Sequence, residues 1–390
     1  MQGEGMRIGF DISQTGNNKA GCGYVADALI RALIRMDPGN SYILYPHFGG
    51  DFRDPEALET TTRIDHPRVT RVPVGRNPEE GRVFWQEMSP EKEEALGSPD
   101  IIHANNFFCP MGLTRARLVY TLHDIGFMSH PEFTTEQNRW ICFNGVFRAS
   151  LAADAVIAVS AFSRERFLEV FPHYPEDRIS VVHLGSRFAP DRTPGVTSRL
   201  AGRFRPGEFW LSVGTLEPRK NLRRMLAAFA EHRKGSRDAF PLALAGGRGW
   251  MEEDLEAYIR SLGLEEAVIP LGYVTDEDLI WLYRNCFAFV YPSLYEGFGL
   301  PVLEAMSLGA PVITSRVTSL PEVAGDAALY VDPWDAADIV RAFGRLGADK
   351  DLREALKQEA AIQSRKFSWE RSAEETLAVY RRLMEEVPAS

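Results

Sequence analysis

Two short stretches hold the residues best suited to act on a ligand, SVGTLEPRKN (212–221) and YPSLYEGFGLPVLE (291–304). In the second, Glu296 and Glu304 stand with seven residues between them, around a loop whose Gly297 and Gly299 let the main chain approach a ligand closely. Pro301 suits the first position of a helix, where its missing N–H costs nothing. The free N–H groups of that first turn, and the helix dipole, favour an anion. A carboxylate on either side accepts hydrogen bonds from neutral hydroxyls. In the first stretch, Gly214 relaxes a turn and Arg219 and Lys220 sit just before a helix. Cations there oppose the dipole unless an anion accompanies them. The pair reads as a diphosphate clamp that neutralises charge on a leaving group; the plainer reading is two solvated surface cations. Taken together, these features suit a ligand that is both phosphate and polyol, such as a nucleotide sugar.

Further candidates stand at strand ends earlier in the chain. YTLHDIGF (120–127) ends a buried strand with His123 and Asp124, and IIHANN (101–106) ends another with His103. GCGYVA (21–26) fits G-x-G-x-x-A, but eight residues separate it from the first strand and no carboxylate ends the next one. It therefore reads as a flexible glycine loop passing near a phosphate, or as an ordinary surface loop. The D-x-D triplets at Asp276–Asp278 and Asp349–Asp351 read as helix starts and not as metal ligands. The apolar segments NNFFCPMGL (105–113) and RWICFNGVF (139–147) read as core, with a minority reading as a greasy acceptor site or membrane-facing patch.

These loops need a scaffold, and apolar strands alternating with helices supply one. Strands are expected near 7–12, 42–45, 69–73, 100–103, 117–122, 154–159 and 179–184, then 208–214, 241–246, 267–272, 288–293, 311–315 and 327–332. That alternation predicts α/β architecture with two doubly wound, Rossmann-like domains facing across a cleft. The 390 residues fit two domains. The first is expected over 1–190, a Pro/Gly/Arg-rich linker over 191–207, the second over 208–368, and a helix over 369–390 that crosses back to the first. The net charge of −10 argues against a nucleic-acid partner. Four scattered cysteines read as unpaired thiols. No apolar signal core opens the chain, Met1–Gly5 reads as a short leader, and no apolar run is long enough to span a membrane.

VGTLEPRKN, the glutamates of EGFGLPVLE, GYV at 272–274, TLHD and the closing FSW-x-x-x-A segment together resemble the GT-B retaining glycosyltransferases of family 4, group 1, and within them bacterial mannosyltransferases of O-antigen and exopolysaccharide synthesis. The resemblance implies that Arg219 and Lys220 grip the donor diphosphate. Glu304 would accept from the ribose hydroxyls. Glu296 and the N–H groups of Phe298 and Gly299 would hold the donor sugar, with Gly214, Gly297 and Leu300 completing the donor side. The backbone of Val274 would border the base, Gly23 would approach the phosphates and His123 the transferred sugar. His103, Asp124, Ser160 and Ser163 would face the cleft. It implies a hexosyl group, mannose from GDP-mannose, moved to a saccharide or lipid-linked acceptor, in the cytoplasm or at the inner membrane face, with peripheral membrane contact allowed and no metal cofactor. A UDP- or ADP-sugar transferase, an epimerase and a non-catalytic nucleotide-sugar binder are the alternatives.

Overall fold

A computed structural model describes residues 5–17, 19–49, 56–189, 200, 202–235, 240–247, 249 and 254–385. They divide into two compact units, one drawn from 1–129, 136–185 and 368–390, the other from 130–135 and 186–367.

In the first unit the strands are β1 (Arg7–Asp11), β2 (Ser41–Tyr45), β3 (Val69–Arg71), β4 (Ile101–Ala104), β5 (Arg117–Leu122), β6 (Ala155–Ala158) and β7 (Ile179–Val181). They form a parallel sheet in the order β3-β2-β1-β4-β5-β6-β7. The second unit holds β8 (Trp210–Val213), β9 (Leu242–Ala245), β10 (Val268–Gly272), β11 (Ala288–Tyr291), β12 (Val312–Ser315) and β13 (Ala328–Val331), parallel in the order β10-β9-β8-β11-β12-β13. AVIA, LALA, AFVY and VITS are buried along their whole length. Strands covered by helices on both faces have this pattern, whereas a half-solvated sheet would alternate.

Each sheet reverses its winding beside its first strand. The chain leaves β1 and β4, and likewise β8 and β11, toward opposite edges of the sheet, and the crevice between such strands is where open α/β sheets bind ligands. In the first unit this brings Asp11–Ser13 beside His103–Asn106; Phe10 and His103 are partners across the β1–β4 ladder. In the second it brings Gly214–Lys220 beside Pro292–Gly299, with Leu211 opposite Phe289.

The expected strands all have counterparts, most of them with shortened ends. GCGYVA is not a loop: helix Gly21–Met36 begins at its first residue. Residues 191–199 and 201 of the expected linker lie outside the described residues. Of the rest, Phe204 is buried in the second unit against Phe209 (ring centroids 4.7 Å apart). The last helix, Trp369–Glu385, packs against Gly21–Met36 in the first unit, where Ala373, Leu377, Tyr380 and Leu383 join Leu29, Ile30 and Leu33 in one core.

Candidate active site

In the second unit the chain leaves β8 through Gly214, makes a 3-10 turn at Pro218–Lys220, and passes a left-handed Asn221 before helix Leu222–Gly235. Asn221 is fixed there because its Nδ2 donates to the Pro292 and Pro333 carbonyls at 3.0 and 2.7 Å. The turn thereby locks onto the loop leaving β11, and its two cations meet Glu296. Lys220 Nζ donates to Glu296 Oε1 and Arg219 Nη1 to Oε2, both at 2.7 Å. Oε1 also accepts from Tyr291 Oη at 2.8 Å and Ser293 Oγ at 2.7 Å. Glu217 lies 2.6 Å from Arg219 Nε as a second buried carboxylate. The anion that the cationic pair requires is therefore internal, and the group is neutral overall. Burial works against ionising Glu296, but Arg219 and Lys220 outweigh it and hold the carboxyl at about 2. For Lys220, burial and then the Arg219 charge lower the ammonium below its usual range. Arg219 is the solvent-facing member, its side chain 30% exposed against 8% for Lys220.

The loop Gly297–Gly299 then turns into helix Leu300–Ser307. Gly299, its N-cap, has φ +106°, and a Cβ there would meet Leu320 Cδ2 at 2.8 Å. The helix begins one residue before Pro301, so Glu304 is its fifth residue and not a first-turn carboxylate complementing the dipole. Glu304 is buried and held separately from the Arg219–Lys220–Glu296 group: Arg187 Nε donates to Oε1, Arg187 Nη2 to Oε2 at 3.0 Å, and Tyr283 Oη to Oε2 at 3.1 Å. Three of the four charged residues singled out from sequence thus form one cluster, and the fourth has partners of its own. Phe298 is buried edge-on to Phe367, and Val274 is buried just beyond the left-handed Gly272 that ends β10.

The first unit's crevice holds a second polar network. Asp11 Oδ1 accepts from Ser13 N and Oγ at 2.9 and 2.7 Å, and Oδ2 from Asn105 N at 3.2 Å. Burial raises its carboxyl to about 6. His123 Nε2 donates to the Asn105 carbonyl at 2.8 Å. Burial opposes its charge, but Cys22 beside it, the Asn105 carbonyl and Asp124 raise it to about 9. His103 corrects the expectation of a ligand-facing residue. It is fully buried, between Thr121 Oγ1 (2.7 Å) and Tyr380 Oη (2.5 Å), and burial followed by the His123 charge lowers it to about 3. Ser160 caps helix Ala161–Val170 by accepting from Ser163 N, and Ser163 Oγ donates to the His123 carbonyl; both are fully buried positioning groups. Asp124 accepts from Gly126 N at 2.8 Å. Gly23 lies against the loop that follows β1: a Cβ there would be 2.0 Å from the Gln14 carbonyl oxygen.

Sequence reasoning passed over Glu217, Tyr291, Ser293 and Arg187. Glu217 was legible as a carboxylate two residues before Arg219. Arg187 had no signal, because 117 residues separate it from Glu304. The aspartate triplets do start helices, where Thr275 and Asp349 are the caps. Among the described residues, no group of three or more His, Cys, Asp or Glu side chains could hold a metal. None of the four cysteines forms a disulfide, and no described helix is long and apolar enough to cross a membrane.

Known proteins resemble this chain. Residues 202–363 match the family described as glycosyl transferases group 1, and residues 20–186 match Glycosyltransferase Family 4. The O-antigen chain mannosyltransferase B of Escherichia coli is 39% identical over 288 residues, covering 73% of this chain and 74% of that protein. The serotype-specific mannosyltransferase WbdA of Escherichia coli is 33% identical over 311 residues, which span 74% of this chain but only 37% of WbdA. HepE of Anabaena, solved in complex with UDP and glucose, superposes with a TM-score of 0.71 at 20% identity, covering 97% of this chain and all of HepE, a likeness of fold. With both units matched by sequence and fold, the chain belongs to the group 1, family 4 glycosyltransferases and has their GT-B architecture.

Proposed function

We propose that this glycosyltransferase moves a mannosyl group from GDP-mannose to a saccharide or lipid-linked saccharide acceptor, with retention at the anomeric carbon. The observation that carries the donor part is the junction of Arg219, Lys220 and Glu296 at the winding reversal of the second sheet. Two cations fixed by a buried carboxylate are preorganised to stabilise charge growing on a departing diphosphate. The Glu304 carboxylate, one turn further into the helix, suits the ribose diol. Mannose as the sugar is supported by the names of the two Escherichia coli relatives.

Retention by same-face attack is supported by the protonation states. A carboxyl held at about 2 is a poor base at neutral pH. His123, raised to about 9, keeps its proton there. The Asp11 carboxylate, at about 6, already accepts from Ser13 and Asn105, and in this reading the acceptor's proton goes to the departing phosphate oxygen, which leaves from the face that the hydroxyl attacks. Catalysis rests on positioning and on stabilising an oxocarbenium-like state. No metal takes part in this reading, since Arg219 and Lys220 supply the positive charge, and chelation should leave turnover unchanged.

The test is a panel of GDP-, UDP- and ADP-linked mannose and glucose, read by thermal shift and by NMR of the product. GDP-mannose should stabilise most, and the product should keep the donor's α configuration. Inversion would end the same-face reading, a stronger UDP-sugar response would replace the donor, and an epimer formed from donor alone would replace the reaction class.

A further inference from the structure

In the second unit the main chain that leaves β11 is held from one side by a row of hydroxyls. The β11–β12 ladder stops where Tyr291 stands opposite Thr314. Beyond that point the side chains of TSRVTS (314–319) take over. Thr314 Oγ1 donates to the Tyr291 carbonyl at 3.0 Å, and Ser315 Oγ to the Ser293 carbonyl at 2.6 Å. Ser319 Oγ lies 2.9 Å from both the Glu296 and the Phe298 carbonyls, and its one proton is shared between them. Thr318 Oγ1 accepts from Glu296 N at 3.2 Å. Thr314, Ser315 and Ser319 are fully buried. A buried hydroxyl is costly unless it is hydrogen-bonded, and here the partners are main-chain atoms of the loop that carries Glu296.

Thr318 adds strain to this row. Its φ is +57°, and among the described residues no other β-branched side chain stands on left-handed backbone. Such a conformation persists only where the surroundings impose it, and it collects at working sites. Leu320 N closes the turn by donating to the Val317 carbonyl at 3.3 Å. Leu320 Cδ2 then lies 2.8 Å from where a Cβ on Gly299 would be, so turn and loop fit each other only with glycine there. What the bonds fix is the direction of the loop's amides. In a trans peptide the carbonyl and the following N–H point opposite ways. With the Phe298 carbonyl turned to the buried Ser319, the Gly299 N–H is turned away from the core. Thr318 and Ser319 likewise hold the peptide groups on both sides of Glu296.

We propose that Thr318 and Ser319 are positioning residues for the transferred sugar: through the main chain they aim the Gly299 N–H at a sugar hydroxyl oxygen. This rests on the donor site assigned above and draws a division within it. Arg219, Lys220 and Glu304 hold the nucleoside diphosphate, whereas the turn at 317–320 governs the sugar alone.

The experiment is titration calorimetry of GDP and of GDP-mannose into the full chain, for the wild type, Thr318→Gly, Thr318→Ser and Ser319→Ala, with a thermal unfolding curve of each. Thr318→Gly removes the hydroxyl and the strained φ together, so it should stay folded. It should bind GDP as the wild type does and lose about tenfold in affinity for GDP-mannose, the worth of one net hydrogen bond. Thr318→Ser keeps the hydroxyl and should keep both affinities. Ser319→Ala should lose more GDP-mannose affinity than Thr318→Gly, because two buried carbonyls are then short of a donor. An unchanged ratio of GDP-mannose to GDP affinity in Thr318→Gly and Ser319→Ala overturns the proposal, since the row would then serve stability alone. Should the wild type bind UDP-glucose and not GDP-mannose, the donor reading falls, and the same ratio taken with UDP-glucose and UDP decides this inference separately.

Discussion

Replacing Glu296 with Gln keeps the side chain's shape and removes the charge that faces Arg219 and Lys220. A carboxyl that titrates at about 2 in the fold and 4.5 once unfolded contributes roughly 3 kcal/mol at neutral pH, at about 1.4 kcal/mol per tenfold change in proton affinity. That is near the roughly 3–5 kcal/mol lost when one partner of a buried ion pair is removed. Because the folded state binds this proton more weakly, the contribution is complete above about pH 4.5 and fades as the pH falls toward 2. For a unit of this size the loss corresponds to roughly 6–12 °C in Tm. Differential scanning calorimetry of both proteins at pH 7, and at steps down to the lowest pH at which both fold reversibly, measures it. The variant should melt well below the wild type at pH 7, and the gap should narrow with acid. A variant within about 1 °C of wild type, or a gap that ignores pH, would refute the assignment of Glu296 as internal counter-ion.

Two other outcomes follow from the same geometry. Arg219→Ala and Lys220→Ala should each lower the transfer rate by at least about 100-fold, by analogy with loss of one preorganised donor at roughly 2.7–4 kcal/mol; single-turnover assays with saturating donor read this, and near-normal turnover contradicts the clamp. His103 titrates at about 3 in the fold against 6.5 unfolded, so its contribution is whole above pH 6.5 and is lost as the pH falls. Urea unfolding of the wild type should show about 2 kcal/mol of this loss between pH 7 and pH 5, and His103→Gln should remove it, whereas an identical pH slope in both proteins would rule it out.

The scaffold was legible because parallel strands buried on both faces appear as uninterrupted apolar runs, most of them followed by a helix. What escaped were short helices announced only by their caps. Asn77 caps Pro78–Gln86 by accepting from Glu80 N, and Ser89 caps Pro90–Ala95 by accepting from Lys92 N. Both have an Asx or Ser cap followed by proline, a signal that a search for hydrophobic period passes over. At the site, Arg219 and Lys220 were legible because cations just before a helix depart from local preference, and Glu296 because it flanks a glycine loop that leads into a helix. His103 was misread because a polar residue at a strand's end looks the same in sequence whether it faces a ligand or another strand's neighbour. Its true partner, Tyr380, lies 277 residues away, beyond any local pattern. Arg187 was invisible for the same reason.

The Tyr380–His103 contact also bears on how the polypeptide matures. Synthesis proceeds from the amino end, yet the first-made sheet obtains its covering helix, Trp369–Glu385, only after residues 186–367 have emerged. Until then Leu29, Ile30 and Leu33 lack the surface that shields them, while the later unit has all its strands and can condense first. A nascent chain arrested anywhere before residue 369 would present an uncovered apolar helix to chaperones and proteases. Clipping the carboxyl end would therefore unravel the half of the molecule that was translated earliest.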